Sequence, residues 1–101
     1  MLSKDDILAY LRELKPTLQK EGIEKIGLFG SFAKDSADLL SDIDIVIKTN
    51  NTFIKKYKSI NAFLYLDKLR ENIKKRFNRD VDICDESGLK NKDIIKDSIY
   101  V

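Results

Sequence analysis

The sequence predicts a two-layer α/β fold in which helices cover a small β-sheet. Long segments whose apolar residues recur at three- and four-residue steps alternate with three short runs rich in β-branched residues. The predicted order is helix, strand, short helix, strand, helix, strand, helix. No repeat, low-complexity tract or linker interrupts this order, so a single domain over residues 1–101 is expected.

The first predicted helix follows Ser3, which forms a capping-box pattern with Asp6. Pro16 falls inside its apolar pattern and is expected to kink the helix or split off its last turn. Gly22 is the expected stop. The apolar stripe consists of Ile7, Leu8, Leu11, Leu14 and Leu18.

The apolar run Ile23 to Phe29 reads as the first strand, and Ser31 to Lys34 as a short helix after it. Ile43 to Ile47 and Val81 to Cys84 are the second and third strands. Residues 48–59 are polar and predict a loop.

A second long helix is expected after this loop, ending at Asn78 and Arg79, and Ile94, Ile95 and Ile99 predict a final helix reaching Val101. The stripe of the second helix consists of Ile60, Phe63, Leu64, Leu66, Leu69, Ile73 and Phe77. Its aromatic members are expected in the core. Phe53 and Tyr57 stand in a polar stretch and are candidate interface residues.

The composition excludes several kinds of chemistry. There is no histidine, which removes every triad that uses imidazole as the base, and with a single cysteine no zinc site is expected. A net charge of +2 argues against a generic nucleic-acid binder, so nucleic acid is not an expected partner, and the basic residues of the second helix read as a solvated face. No signal peptide or membrane span is visible, and a cytoplasmic protein is expected.

Gly30 and Ser31 directly follow the first predicted strand. Glycine lets the backbone approach a ligand closely, and a helix that starts there aims N–H groups outward toward a phosphate. The Ser31 hydroxyl adds another donor. An ordinary turn is the alternative explanation for this pair.

Three aspartates interrupt or adjoin the later strands. Asp42 and Asp44 project to the same side of the second strand, where two carboxylates repel each other unless a cation lies between them. A pair of solvated loop acids is the alternative, but Asp44 already lies within an apolar strand, where an uncompensated carboxylate is costly to bury. Asp82 is expected to share their face if its strand lies beside the second, and Asp80 is expected on the other face. Such a set suits phosphoryl or nucleotidyl transfer with Mg²⁺.

Gly30-Ser31-Phe32-Ala33-Lys34 and Ser41-Asp42-Ile43-Asp44-Ile45-Val46 together resemble the signature of the minimal nucleotidyltransferases, the MNT group of the DNA polymerase β-like superfamily. Val81-Asp82-Ile83 is similar to the third-acid strand of that family. The resemblance covers nearly the whole chain and implies an α/β (α+β) fold with a small mixed β-sheet.

By this resemblance Gly30, Ser31 and Lys34 contact the triphosphate of ATP. Asp42 and Asp44 bind Mg²⁺, and Asp82 completes the set as metal ligand or base. One departure is visible: the family commonly has Arg-Gly after the alanine, whereas this chain has Lys34-Asp35.

The resemblance also implies a partner. Stand-alone members commonly pair with a HEPN-domain ribonuclease toxin and neutralise it, one route being transfer of AMP from ATP to a tyrosine of the toxin. The alternatives are an antitoxin that acts by binding alone, and transfer to an RNA end or a small antibiotic.

Overall fold

The computed structural model describes residues 2–89 and 92–101. Its helices are α1 (Lys4–Lys20), α2 (Gly30–Ala33), α3 (Asn51–Lys56) and α4 (Ile60–Phe77). Its strands are β1 (Ile23–Phe29), β2 (Ile43–Thr49), β3 (Val81–Asp85) and β4 (Ile99–Tyr100), with 3₁₀ turns at Glu86–Gly88 and Lys92–Ile95. None of the helices among these residues is long and apolar enough to cross a membrane.

The four strands form one mixed sheet in the order β3-β2-β1-β4. β1 pairs antiparallel with β2 and β4, whereas β2 and β3 are parallel. The parallel pair is possible because α3 and α4 supply the long crossover that parallel neighbours require. This confirms the predicted small mixed sheet with helices.

One side of the sheet carries the core. Ile43, Ile45 and Ile47 alternate along β2 and are fully buried in a cluster with side chains of α1 and α4. Because strand side chains alternate between faces, Asp44 points to the opposite side, away from this cluster. The fold therefore separates a hydrophobic face from the face that carries the acids.

The termini of α1 and α4 confirm two local predictions. Ser3 and Asp6 form the reciprocal capping box at the start of α1. Asn78 ends α4 in the left-handed conformation. Pro16 does not split off the last turn of α1, which continues to Lys20, and Leu18 in that turn is buried against the core.

Two predicted elements are wrong. Residues 48–59 are not a loop: β2 runs to Thr49, and Asn50 then caps α3 by accepting hydrogen bonds from the N–H groups of Thr52 and Phe53. The predicted final helix is instead a 3₁₀ turn followed by β4, whose pairing with β1 overrides the local periodicity.

The roles expected for two aromatic side chains are reversed. Phe53 is 3% exposed and belongs to the core, so it is not an interface residue. Phe63, expected in the core, is 66% exposed. Phe77 packs against the core as predicted, and Tyr57 is half-buried, with its hydroxyl bonded to Glu21.

Candidate functional site

The pairing of β2 with β3 determines where the acids lie. The parallel register places Asp44 directly beside Asp82. Asp42 immediately precedes β2. The pairing of β2 with β3 begins at the hydrogen bond that the N–H of Ile43 donates to the carbonyl oxygen of Asp80, at 2.9 Å. The second and third predicted strands are therefore adjacent, as expected. Their pairing brings Asp42, Asp44 and Asp82 to neighbouring positions at the starts of two parallel strands.

The electrostatics of Asp44 reflect these neighbours. Burial raises the pKa of its carboxyl above the ordinary value, and the negative charges of Asp82 and then Asp42 raise that pKa further. Asp44 is half-buried, whereas the other two acids are exposed. A carboxyl whose charged form is opposed by two further carboxylates is stabilised when a cation binds beside it.

The donor chemistry of this cluster fits Mg²⁺. Carboxylate oxygens are the ligands that this hard cation takes in proteins, together with water and substrate phosphates. In the part of the chain that the structure describes, no group of three acidic, histidine or cysteine side chains is placed so that it could hold a metal ion. Binding one ion would therefore require the three carboxylates to turn toward one another.

Gly30 adjoins Asp44 because the last residue of β1, Phe29, pairs with Asp44 across the sheet. Gly30 has a φ of +73°, and a Cβ built on it would overlap Oδ2 of Asp44 and lie 3.0 Å from its Cγ. The close backbone approach that the sequence suggested is thus an approach to the Asp44 carboxylate itself. Only glycine fits here without moving that carboxylate.

Ser31 and Lys34 lie on the single turn of α2 that follows Gly30. The carbonyl of Ser31 accepts a hydrogen bond from the N–H of Ser36 at 2.9 Å, and the N–H of Lys34 donates to the carbonyl of Gly30 at 3.2 Å. Among the described residues, no group hydrogen-bonds to the Ser31 hydroxyl and no carboxylate forms an ion pair with Lys34. Both polar groups therefore lack a partner among the described residues.

The structure accommodates Asp35 at the position where the family pattern has glycine. Its φ is +58°, a left-handed conformation that glycine adopts without cost and that aspartate tolerates better than most residues. Its carboxylate forms an ion pair with Lys4 at 3.0 Å, so its negative charge is partnered from α1.

Arg79 is a residue of this region that sequence reasoning missed. Its Nη1 donates to the carbonyl oxygens of Asp38 at 3.0 Å and Ser41 at 2.8 Å. Its guanidinium also lies over the Phe32 ring of α2, 5.3 Å from the ring centre. Arg79 therefore fixes the segment before Asp42 and the turn after Gly30 at the same time. No local pattern indicates this, because the partners are far away in the sequence.

The segment before Asp42 is a compact turn. The carboxylate of Asp38 accepts hydrogen bonds from the N–H of Leu40 at 2.9 Å and the hydroxyl of Ser41 at 3.2 Å. The N–H of Leu40, followed by the Ser41 hydroxyl, holds the pKa of Asp38 below its usual value. These bonds and the Arg79 contacts define the path of the chain into Asp42.

Several other cations on the predicted solvated face of α4 have partners within the chain. Lys74 pairs with Asp80 at 3.2 Å, Arg70 pairs with Asp67, and Arg76 lies 5.2 Å from the centre of the Tyr10 ring. The expectation that Asp80 lies on the other face is wrong: residues two apart along a strand share a side, and Asp80 lines a cleft together with Asp42.

Three comparisons with known proteins bear on the family of this chain. The family model described as "Polymerase beta, Nucleotidyltransferase" matches residues 12–100. A relative from Thermococcus cleftensis, named protein adenylyltransferase MntA, is 28% identical over 105 residues that cover 100% of this chain and 98% of the relative. A crystal structure of a candidate nucleotidyltransferase from Sulfolobus solfataricus aligns at 24% identity and a TM-score of 0.43, covering 99% of this chain and 86% of that one. Since the family model spans most of the chain, the protein belongs to the polymerase β nucleotidyltransferase family.

Proposed function

We propose that this nucleotidyltransferase is a Mg²⁺-dependent protein adenylyltransferase that acts as an antitoxin. We further propose that it works in the cytoplasm and that residues 1–101 form one domain. Its acceptor is a tyrosine of a HEPN-type ribonuclease toxin. The observation that carries the proposal is the placement of Asp44 beside Asp82, with Asp42 one step before β2. The name of the Thermococcus cleftensis relative, a protein adenylyltransferase, supports the choice of AMP and of a protein acceptor.

The acidic cluster is assigned to the metal. Asp42, Asp44 and Asp82 would hold Mg²⁺, which supplies neutralisation of the phosphate charge when it is bound. The mutual repulsion that raises the pKa of Asp44 supports this assignment, because it is relieved when a cation is held.

The turn after β1 is assigned to the triphosphate. The backbone at Gly30, the Ser31 hydroxyl and the Lys34 ammonium would contact phosphate oxygens. Their position on the turn that lies against Asp44 supports the assignment. The charge of Lys34 serves this purpose, although lysine does not offer the two-pronged geometry of arginine.

The reaction is a substitution at the α-phosphorus of ATP. The tyrosine oxygen forms a bond to that phosphorus, the bond to the bridging oxygen of the β-phosphate breaks, and pyrophosphate leaves. Asp82 is exposed, lies at the edge strand β3 and accepts the proton of the tyrosine hydroxyl. The product is a tyrosine carrying AMP, which we propose inactivates the toxin.

The competing function is neutralisation of the toxin by binding alone. Two observations favour it: the carboxylates do not converge on one ion as they stand, and Lys34-Asp35 replaces the Arg-Gly of the family pattern. In that case the acidic cluster is a relic that takes no part in catalysis.

The test is AMP transfer by the Asp42→Asn/Asp44→Asn double variant. We expect label transfer from ATP to the toxin to be abolished with the fold intact, whereas Glu13→Gln, which changes an exposed acid of α1 on the core side of the sheet, leaves transfer unchanged. Asp82→Asn should slow transfer with a smaller loss of Mg·ATP affinity. Full activity of the double variant would refute the metal assignment, and unchanged turnover in Asp82→Asn would remove that residue from catalysis.

A further inference from the structure

Four large apolar side chains are exposed on neighbouring parts of α3 and α4. Ile54 is 58% exposed, Ile60 68%, Phe63 66% and Leu64 54%. We call these four residues the α3–α4 face. Single exposed apolar residues are common on protein surfaces, but clustered ones mark sites of interaction.

The face is separate from the hydrophobic core. Leu69 and Ile73 are the buried side chains of α4 and pack beneath it, whereas Ile60, Phe63 and Leu64 form another stripe at three- and four-residue spacing. This stripe covers none of the core, so the core gives no reason for its apolar character.

A cleft connects the face with the edge strand β3 at Asp82. Phe63 and Leu66 line a cleft of about 210 Å³ that also contains Asp82. Leu66 also lines the neighbouring cleft of about 530 Å³ together with Ile54. A partner seated on the face would therefore reach the edge strand β3 at Asp82, around which its hydroxyl must pass to meet the acids on the other side of the sheet.

Charges of both signs line the clefts beside the face, but apart from Asp82 the acids are bonded within the protein, Asp67 to Arg70 and Asp85 to Thr49. Lys58 lines the cleft that contains Ile54, and Lys68 lines a cleft with Leu64. No described carboxylate forms an ion pair with either lysine. Lys56, by contrast, pairs with Glu21 at 2.8 Å. An apolar surface edged by unpaired cations is complementary to an apolar surface edged by acids.

We propose that the α3–α4 face is the docking surface for the protein acceptor. The occupant is an apolar surface with flanking Asp or Glu residues, and it presents its hydroxyl to the cleft beside Asp82. This inference rests on the proposed function, since it places the acceptor of that reaction. A small-molecule acceptor would have no use for a face that extends onto α3.

The experiment compares three variants with the wild type, using the protein encoded by the neighbouring gene as acceptor. Phe63→Ser removes the aromatic ring next to Asp82, and Lys58→Glu/Lys68→Glu reverses the two charges. Lys75→Glu reverses a single charge at an exposed position of α4 outside the face. For each protein, the dissociation constant of the acceptor complex, the acceptor KM and the Mg·ATP affinity are measured.

Phe63→Ser and the charge reversal should each weaken acceptor binding about tenfold or more, which is typical of a central aromatic contact, and raise the acceptor KM similarly. Mg·ATP affinity should be unchanged, and Lys75→Glu should behave as the wild type. Raised salt should weaken the wild-type complex more than the charge-reversed one.

The binding measurement separates failure of this inference from failure of the proposed function. Unaltered acceptor affinity in both variants would overturn the docking surface even if AMP transfer is confirmed. Weakened affinity without any transfer by the wild type would support the surface and refute the catalytic proposal. A wild-type homodimer that Phe63→Ser dissociates, with acceptor affinity unaltered, would assign the face to self-association and also overturn the inference.

Discussion

Replacing Gly30 by alanine perturbs the backbone and the acidic cluster at once. Gly30 has a φ of +73°, which an alanine adopts only at a cost of about 1–2 kcal/mol. The new Cβ would also overlap Oδ2 of Asp44. Because the Asp44 backbone is held between β1 and β3, the carboxylate must move away or the turn after β1 must shift.

The two effects add to a substantial loss. Forcing extra volume into a packed position costs about 1–3 kcal/mol, so Gly30→Ala should lower the free energy of unfolding by about 2–5 kcal/mol in total. Displacement of the Asp44 carboxylate should also weaken Mg·ATP binding and reduce AMP transfer by about a hundredfold.

Urea unfolding and Mg·ATP titration measure these losses. Gly88→Ala is the matched control, since no described atom lies within 4 Å of the Cβ it would add and its φ is not positive; it should change neither quantity. Adding Asp44→Ala to Gly30→Ala should recover part of the lost stability, because the clashing carboxylate is then absent and the two substitutions are coupled.

A Gly30→Ala variant with wild-type stability and transfer rate would refute this reasoning. It would mean that Asp44 does not lie against Gly30. A variant that loses stability equally in the Asp44→Ala background would retain the backbone argument and refute the contact.

Two further substitutions test the electrostatics and the positioning of the site. Asp44→Asn should raise the melting temperature at pH 7. The pKa of Asp44 is raised in the folded protein, which therefore holds the proton more tightly than the unfolded chain does. The charged Asp44 carboxylate accordingly destabilises the folded protein fully above the folded pKa and not at all below the unfolded pKa. The gain should therefore vanish as the pH falls to about 3, and an equal gain at both pH values would contradict the argument. Arg79→Gln should lower the free energy of unfolding by about 1 kcal/mol, raise amide exchange at Leu40 and Ser41, and raise the KM for Mg·ATP. Arg76→Gln is the control, because it removes a contact with the Tyr10 ring that is similar to the contact of Arg79 with the Phe32 ring. Equal effects of the two substitutions would exclude a positioning role for Arg79.

Most of the fold was predictable because hydrophobic periodicity and end signals agree. The capping residue Ser3, the β-branched strands and the stop at Asn78 all act locally, and each is found where the sequence indicates it. The final segment was not predictable, because Ile99 has the spacing of a helix but pairs with β1 as β4. Tertiary pairing overrides local preference there.

The arrangement of the candidate site could be predicted only in part. Alternation along β2 places Asp42 and Asp44 on one side, but their proximity to Asp82 depends on a strand pairing that no local pattern specifies. The Arg79 contacts and the exposure of Phe63 also depend on where α4 packs. Helical periodicity describes a stripe and does not say what covers it.

The central claim is that the acidic cluster transfers AMP to a protein. The most direct measurement is the intact mass of the neighbouring-gene product after incubation with this protein, Mg²⁺ and labelled ATP. A mass gain in steps of one AMP, absent when Asp42 and Asp44 are both replaced by asparagine, is the predicted result. A toxin that is silenced by complex formation with no mass gain would contradict catalysis, and a mass gain that persists in the double variant would contradict the assigned site.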